Sequence, residues 1–270
     1  MGENLWWSAE GWTESRPRID SPTRVLVAES FLVRDHQVTG LPLHIRRFAA
    51  GLATWGVDLP VFLPDDAAPW LDFASYIPRQ GRFFPKIHAQ QFADGEVLVE
   101  GFVRPAPAPL LDTDVYASSE QFEFLAPSIK GPDLELGLEL RSRAQVRGFG
   151  EWIRLTPGGY VLEGALTGVL WWEGDTLCLP PTELKRVDSV TVKVIREIAA
   201  ERGTVVVEKL IKPAELEGAD VWIASSLHGI RQVNRWESDC GATPDLLPDR
   251  QRWESWQQAW KSQARALGTR

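Results

Sequence analysis

Cysteine is scarce in this sequence: its 270 residues include only Cys178 and Cys240, with no paired spacing. A disulfide framework or a structural zinc site needs clustered thiolates, so neither is expected, nor is any other metal centre, and a reducing compartment is the default. A surplus of positive charge is also missing, since 29 Lys and Arg stand against 37 Asp and Glu for a net charge of −8. Nucleic acid and anionic membrane both require a basic surface, so neither is expected as a partner. No run comes near the roughly 20 apolar residues that a membrane helix needs. The opening MGENLWWSAEGWTESRPRID carries acidic residues early and has no apolar stretch of signal length. The expectation is a soluble protein of the cytoplasm.

What is present is enough to build on. Hydrophobic residues make up 44% of the chain, which supports a substantial core, and the length exceeds that of a usual single domain. Strand and helix signals are mixed, giving an α/β (α+β) chain. The expected division is a smaller N-terminal domain over 1–125, with an irregular arm to about residue 22 whose tryptophans dock on the body, and a larger domain over 126–270. RVLVAESFLV reads as a strand that turns at Asp35-His36 into QVTGL. Ile45, Phe48, Ala49 and Leu52 fall at helical spacing and predict a helix from Leu43 to about Trp55, with Arg46 and Arg47 in its first turns. VDLPVFLP reads as a short strand, APWLDFASYI as helical, and GRFFPKIHAQ and EVLVEGFVRPAPAP as strands. The last of these ends at Arg104, because Pro105 and Pro107 cannot continue a ladder. An arginine there is either a two-pronged grip for a carboxylate or an edge-strand charge.

Two stretches further along carry residues suited to chemistry. In IKGPDLELGLELRSRA, Gly131 and Pro132 keep a helix from starting before about Asp133 and leave Lys130 on an irregular, positionable segment. In GEWIRLTPGGYVLEGALTGVLWW, alternation on both sides of Pro157-Gly158-Gly159 reads as a β-hairpin ending near Glu163. Gly164 follows, where a strand must bend or lie close to a ligand. Taken singly, a lysine ahead of a helix is most simply a solvated charge, and a glutamate at a strand end most simply faces water. LWWEGDTLCLP predicts a hairpin turning at Glu173-Gly174-Asp175. A helix over Ser189–Arg202 opens on Asp188-Ser189-Val190-Thr191, whose caps and free backbone N–H groups suit a phosphate. TVVVEKLI predicts a buried strand, ELEGAD a short helix, and DVWIASS a strand ending in two hydroxyls. Trp253, Trp256 and Trp260 form the stripe of an amphipathic helix packed on the body.

In this order LHIRRF, the Lys130 and Glu163 stretches, RVDSVTVKVI and ADVWIASSLHGIRQV resemble the class IV aminotransferases. This pyridoxal-phosphate family also contains branched-chain and D-amino-acid aminotransferases and aminodeoxychorismate lyase. The resemblance runs from about Arg24 to Val233. It implies a two-domain fold-type-IV enzyme with the cofactor between the domains, and a homodimer. By the same resemblance Lys130 binds pyridoxal 5'-phosphate covalently and acts as the proton-transfer base. Glu163 faces the pyridine nitrogen. Arg47, the backbone of Val190 and Thr191, and the Ser226 hydroxyl hold the phosphate, and Arg104 binds substrate. Two departures stand out: Glu135 occupies the place of a usual tyrosine five residues after the lysine, and Leu166-Thr167-Gly168 replaces a usual Asn after the glutamate. The lyases share the missing tyrosine and a hairpin that runs into tryptophan, as GVLW does here. The favoured expectation is 4-amino-4-deoxychorismate lyase, forming 4-aminobenzoate and pyruvate. The alternative is an aminotransferase moving an amino group between an amino acid or amine and a 2-oxo acid. A non-catalytic binding member of the fold is disfavoured by the presence of both Lys130 and Glu163.

Overall fold

The computed structural model describes residues 4–8, 10–18, 20–240 and 243–268. The chain gathers into two compact units: Met1–Ala108 with Ile129–Pro132 and Gln263–Arg270, and Pro109–Ser128 with Asp133–Ser262. The residue-125 division drawn from sequence falls within the stretch that goes with the second unit, and the four residues around Lys130 return to the first.

The first unit is built from β1 (Asn4–Ser8), β2 (Gly11–Thr13), β3 (Arg24–Ser30), β4 (Val33–Arg34), β5 (Gln37–Thr39), α1 (Leu41–Thr54), α2 (Ala68–Ala74), β6 (Arg82–Phe83), β7 (Lys86–Gln91) and β8 (Val97–Phe102). Five of these strands form an antiparallel sheet in the order β2-β1-β8-β7-β3. Over 14–22 the described residues are irregular, as expected of an arm, but Asn4–Ser8 and Gly11–Thr13 are not. They form the β1–β2 hairpin, which pairs with the backbone of β8 and sends Trp12 against Phe62 and Phe73 in the core. VDLPVFLP also departs from expectation and forms no strand. Pro60 and Pro64 deny it ladder donors, and it crosses as a loop that buries Phe62. The turn between β4 and β5 is where it was expected, with Asp35 and His36 both at positive φ as a tight hairpin turn requires. Helix α1 starts two residues earlier than its apolar spacing indicated, because Pro42 suits a first helical turn.

The second unit contains β9 (Asp112–Ser118), α3 (Leu134–Val146), β10 (Glu151–Leu155), β11 (Val161–Gly164), β12 (Gly168–Glu173), β13 (Thr176–Leu179), α4 (Val190–Glu201), β14 (Val206–Glu208), β15 (Asp220–Ser225), β16 (Gly229–Ser238) and α5 (Arg250–Ser262). Its mixed sheet runs β11-β10-β9-β16-β15-β12-β13-β14. TVVVEKLI, expected to be a buried strand, supplies only the edge strand β14 and leaves Val205 and Val207 exposed. The short helix expected over ELEGAD lies earlier, as a 3-10 turn over Pro213–Leu216. Pro213 opens that turn, and Asp220 already belongs to β15. A last strand, β17 (Ala264–Ala266), pairs with β5 in a small sheet of the first unit. Of the thirteen tryptophans only Trp7 and Trp55 are half-buried, and the rest are buried. Trp172 packs edge to face on Trp222 and on Trp256, and Trp222 and Trp256 are tilted against each other, at centroid distances of 5.2–5.8 Å. They serve packing, and their number is no argument for a subunit interface.

Candidate active site

In the first unit the chemistry starts from a buried acid. Glu29 on β3 has no solvent exposure, and two residues of α1 converge on it. Arg47 donates from Nε and Nη2 to its two oxygens at 2.6 Å each, and His44 Nδ1 lies 2.6 Å from Oε2. His44 and Arg47 are three apart on the helix, which puts both on one face. Burial pushes the Glu29 carboxyl up, but Arg47 and His44 outweigh it and leave it at about 2. Burial also pulls the His44 imidazole down, against the attraction of Glu29. The guanidinium of Arg47 is thus fixed in orientation by an acid that the sequence reading missed. The H-x-x-R spacing was the signal that could have pointed to a shared partner. Arg47→Ala is expected to leave Glu29 buried without its main counter-charge and to cost roughly 3–5 kcal/mol, read as a lower urea midpoint in cofactor-free protein.

Lys130 reaches the same neighbourhood through its own backbone. Ala28 N donates to Lys130 O at 2.7 Å, which anchors the segment on β3. The following residue has to be glycine. Gly131 has φ +145, and a Cβ there would sit 2.7 Å from Ala28 N and 2.8 Å from Val27 C and Cα. Backbone cannot give way as a side chain can, so Gly131→Ala is expected to destabilise by about 1–3 kcal/mol and to slow any reaction at Lys130, both measurable on one preparation. The Lys130 ammonium has no hydrogen-bond or ion-pair partner among the described residues. Its residue keeps partial exposure, yet it is packed closely enough that desolvation pulls the amine from 10.5 to about 8. Glu29 opposes this shift, while Arg47, Lys86 and Arg104 reinforce it. Arg104 lies two residues past the end of β8. It donates from Nε to Phe84 O at 2.9 Å, and its guanidinium lies 5.3 Å from the centre of the Phe84 ring. It makes no ion pair with a described residue.

In the second unit the β10–β11 hairpin forms as expected, turning through Gly159 at φ +79. Arg154 and Glu163 are paired across the strands. Arg154 Nη1 donates to Glu163 Oε1 at 2.6 Å, and Val187 N donates to Oε2 at 3.2 Å. Burial pushes the Glu163 carboxyl up to about 7. Arg154, the Val187 N–H and Arg186 hold it down, and Glu151 pushes it further up. Helix α4 opens with Ser189, whose Oγ accepts from Val192 N, while the N–H groups of Val190 and Thr191 lie ahead of the helical ladder. Gly168 packs against this helix start, where a Cβ would lie 2.7 Å from Val192 Cγ2. That contact explains why a small residue stands here. Ser226 is half-buried in the turn between β15 and β16. A second buried acid, Glu151, also escaped the sequence reading. Its Oε2 lies 3.7 Å from Arg231 Nη2, and both residues are almost fully enclosed. The only hint was a charge within an apolar strand.

The family model for class IV amino-transferases matches residues 26–236. The chain belongs to the class IV aminotransferase family. Solved structures of such aminotransferases share its fold. The branched-chain amino acid aminotransferase from Thermobaculum terrenum in its PLP form is 17% identical, with a TM-score of 0.79 over 99% of both chains. The Escherichia coli branched-chain amino acid aminotransferase is also 17% identical at a TM-score of 0.79, over 96% of this chain and 94% of its own. A hypothetical aminotransferase from Mycobacterium tuberculosis in its PLP-bound form is 16% identical at 0.76, over 96% and 98%. No curated protein matches in sequence. Among the described residues of this class IV aminotransferase family member, no group of three or more His, Cys, Asp or Glu could hold a metal ion, and no helix is long and apolar enough to cross a membrane.

Proposed function

We propose that the chain is a pyridoxal-phosphate-dependent enzyme whose reaction is that of 4-amino-4-deoxychorismate lyase. The observation that carries this reading is the Lys130 amine, which has no hydrogen-bond or ion-pair partner among the described residues and is pulled down to about 8 by desolvation, with three cations, Arg47, Lys86 and Arg104, acting on it against one acid, Glu29. An amine at that value is a usable base and nucleophile near neutral pH. Surroundings with this excess of cations favour an anionic cofactor and a substrate with more than one carboxylate. Aminodeoxychorismate carries two.

The residues fit the cofactor by type. Lys130 supplies the amine that holds it, and Glu163 the carboxylate for its ring nitrogen. Arg47, the N–H groups of Val190 and Thr191 and the Ser226 hydroxyl supply donors for its phosphate. When bound, pyridoxal phosphate draws electrons from the substrate carbon that bears the amino group. Lys130 would take the proton from that carbon, the ring C–O bond to the enolpyruvyl group would break as the ring becomes aromatic, and the departing enolpyruvate would take a proton back from Lys130 and tautomerise to pyruvate. Arg104 and Lys86 orient substrate carboxylates. Glu135 is exposed on α3, so that position offers no phenol to the reaction, in keeping with a lyase that relies on one lysine. By the same family reading the enzyme works as a cytoplasmic homodimer, and sedimentation at micromolar concentration should give twice the chain mass of 30.3 kDa. A monomer mass would overturn the dimer.

The deciding experiment incubates purified protein with aminodeoxychorismate and no 2-oxo acid. Formation of pyruvate and 4-aminobenzoate supports the lyase. Turnover that appears only once a 2-oxo acid acceptor is added overturns it in favour of an aminotransferase.

A further inference from the structure

The carboxylate of Glu163 does not stand alone in its hairpin. Arg154 is its direct cross-strand partner, and the β-bulge falls immediately after Arg154. The guanidinium is pinned on two sides: Nη1 lies 2.6 Å from Glu163 Oε1, and its central carbon is 3.4 Å from the centre of the Phe124 ring. Both side chains are largely enclosed, at 14% and 7% exposure. The remaining charged groups that act on Glu163 are Arg186, ahead of α4, and Glu151 on β10, while Asp133 acts on Arg154. Among the described residues, Arg154 is therefore the one cation in hydrogen-bond contact with the Glu163 carboxyl.

We propose that Arg154 is a positioning residue that keeps Glu163 ionised and aimed, so that Glu163 presents a carboxylate rather than a carboxylic acid to the cofactor ring nitrogen. This rests on the reading of Glu163 as the partner of that nitrogen. The physical need is clear from burial. An enclosed carboxyl lowers its energy by taking a proton, and Glu163 is pushed up to about 7 even with the arginine in place. Without Arg154 the group becomes a neutral acid across the neutral range and loses the negative charge that stabilises a protonated ring. Arg154 has a second effect in the same direction. By stabilising the anion it makes Glu163 a weaker competitor for the proton, which then stays on the ring nitrogen. A Phe ring over the guanidinium keeps water off and strengthens the pair.

The sign of the pH effect follows from the same shift. A carboxyl raised from 4.5 to about 7 favours the folded state fully below 4.5, and this advantage is lost as pH rises through 7. Removing Arg154 carries that loss to higher pH and makes it larger.

The test compares Arg154→Met, Arg154→Lys, Glu163→Gln and the double variant Arg154→Met with Glu163→Gln. In cofactor-free protein, Arg154→Met is expected to lose thermal midpoint progressively from pH 5 to pH 9. The double variant should recover that pH-dependent part, and Arg154→Lys should recover some of it. With pyridoxal phosphate as the probe, followed by tryptophan fluorescence, Arg154→Met should bind about tenfold more weakly at pH 8, the change that one pKa unit implies. It should then resemble Glu163→Gln, while Arg154→Lys stays nearer the parent. A loss in Arg154→Met that is independent of pH and unchanged in the Glu163→Gln background overturns the proposal, because only packing would be at stake. If the pairing appears in cofactor-free protein while Glu163→Gln binds and reacts like the parent, the assignment of Glu163 to the ring nitrogen is what fails.

Discussion

Lys130→Ala is expected to give a colourless protein that takes up no reducible label and turns over no substrate. The parent protein, loaded with pyridoxal phosphate, should be yellow, and borohydride should fix the label on the peptide containing Ile129-Lys130-Gly131. Two of the other described lysines are held differently. Lys193 pairs with Asp188 and Lys209 with Glu173, so their amines are held as salt bridges, whereas Lys130 makes no ion pair with a described residue and is pulled down by desolvation, with Glu29 opposing and Arg47, Lys86 and Arg104 reinforcing the shift. The loss in turnover should at least match the roughly 10²–10⁴-fold that a positioned proton-transfer group supplies. The depressed amine adds a pH signature. Attachment needs the neutral amine, so its rate in cofactor-free protein should rise through a midpoint near pH 8 and level off above it. A label on any other lysine, or an active preparation in which Lys130 stays unlabelled, would overturn the site.

Glu163→Gln should behave differently: cofactor still attaches, though about tenfold more weakly, and turnover of the loaded protein falls by about 10²–10³-fold, the scale on which loss of one preorganised electrostatic contact acts. The amide keeps the shape of the side chain and can still accept one hydrogen bond, but it cannot hold a negative charge against a protonated ring. The affinity of the cofactor-free parent for pyridoxal phosphate should fall as pH drops through about 7, where Glu163 takes up its proton. In Glu163→Gln that limb of the affinity profile should disappear, because the titrating group is gone. A profile unchanged in shape would assign the limb to another residue. The variant also leaves Arg154 without its carboxylate, so a lower thermal midpoint is part of the expected result.

Arg47 shows how the sequence reading and the structure differ. The sequence placed it on a helix and, through its motif, beside a phosphate, where a charge-assisted contact is worth roughly 1.5–3 kcal/mol. It did not show that two of its nitrogens are engaged by Glu29. Loss of Arg47 therefore acts on folding as well as on cofactor retention, and the two effects separate when denaturation of cofactor-free protein is compared with cofactor affinity. Arg104 shows a similar difference. Its place after a strand was legible, but its seat on the carbonyl and ring of Phe84 was not.

The sequence by itself determined the parts governed by near neighbours. Pro157-Gly158-Gly159 set the hairpin that carries Glu163, Ser189 capped α4, Gly174 made the next tight turn at φ +58, and the apolar stripes of α1 and α5 chose their buried faces. Each rule acts within a few residues, and the order of these pieces was enough to mark the family. Only the tertiary structure decided what lay far apart in the chain. It joined the opening hairpin to β8, put TVVVEKLI at a sheet edge, and brought Lys130 onto β3, about a hundred residues earlier. It also gave Glu29 its two partners on α1 and closed Arg154 between Glu163 and Phe124. Charge type is written in the sequence, but burial and counter-charge are set by the packing. Those two terms move Lys130 down and Glu163 up toward neutral pH.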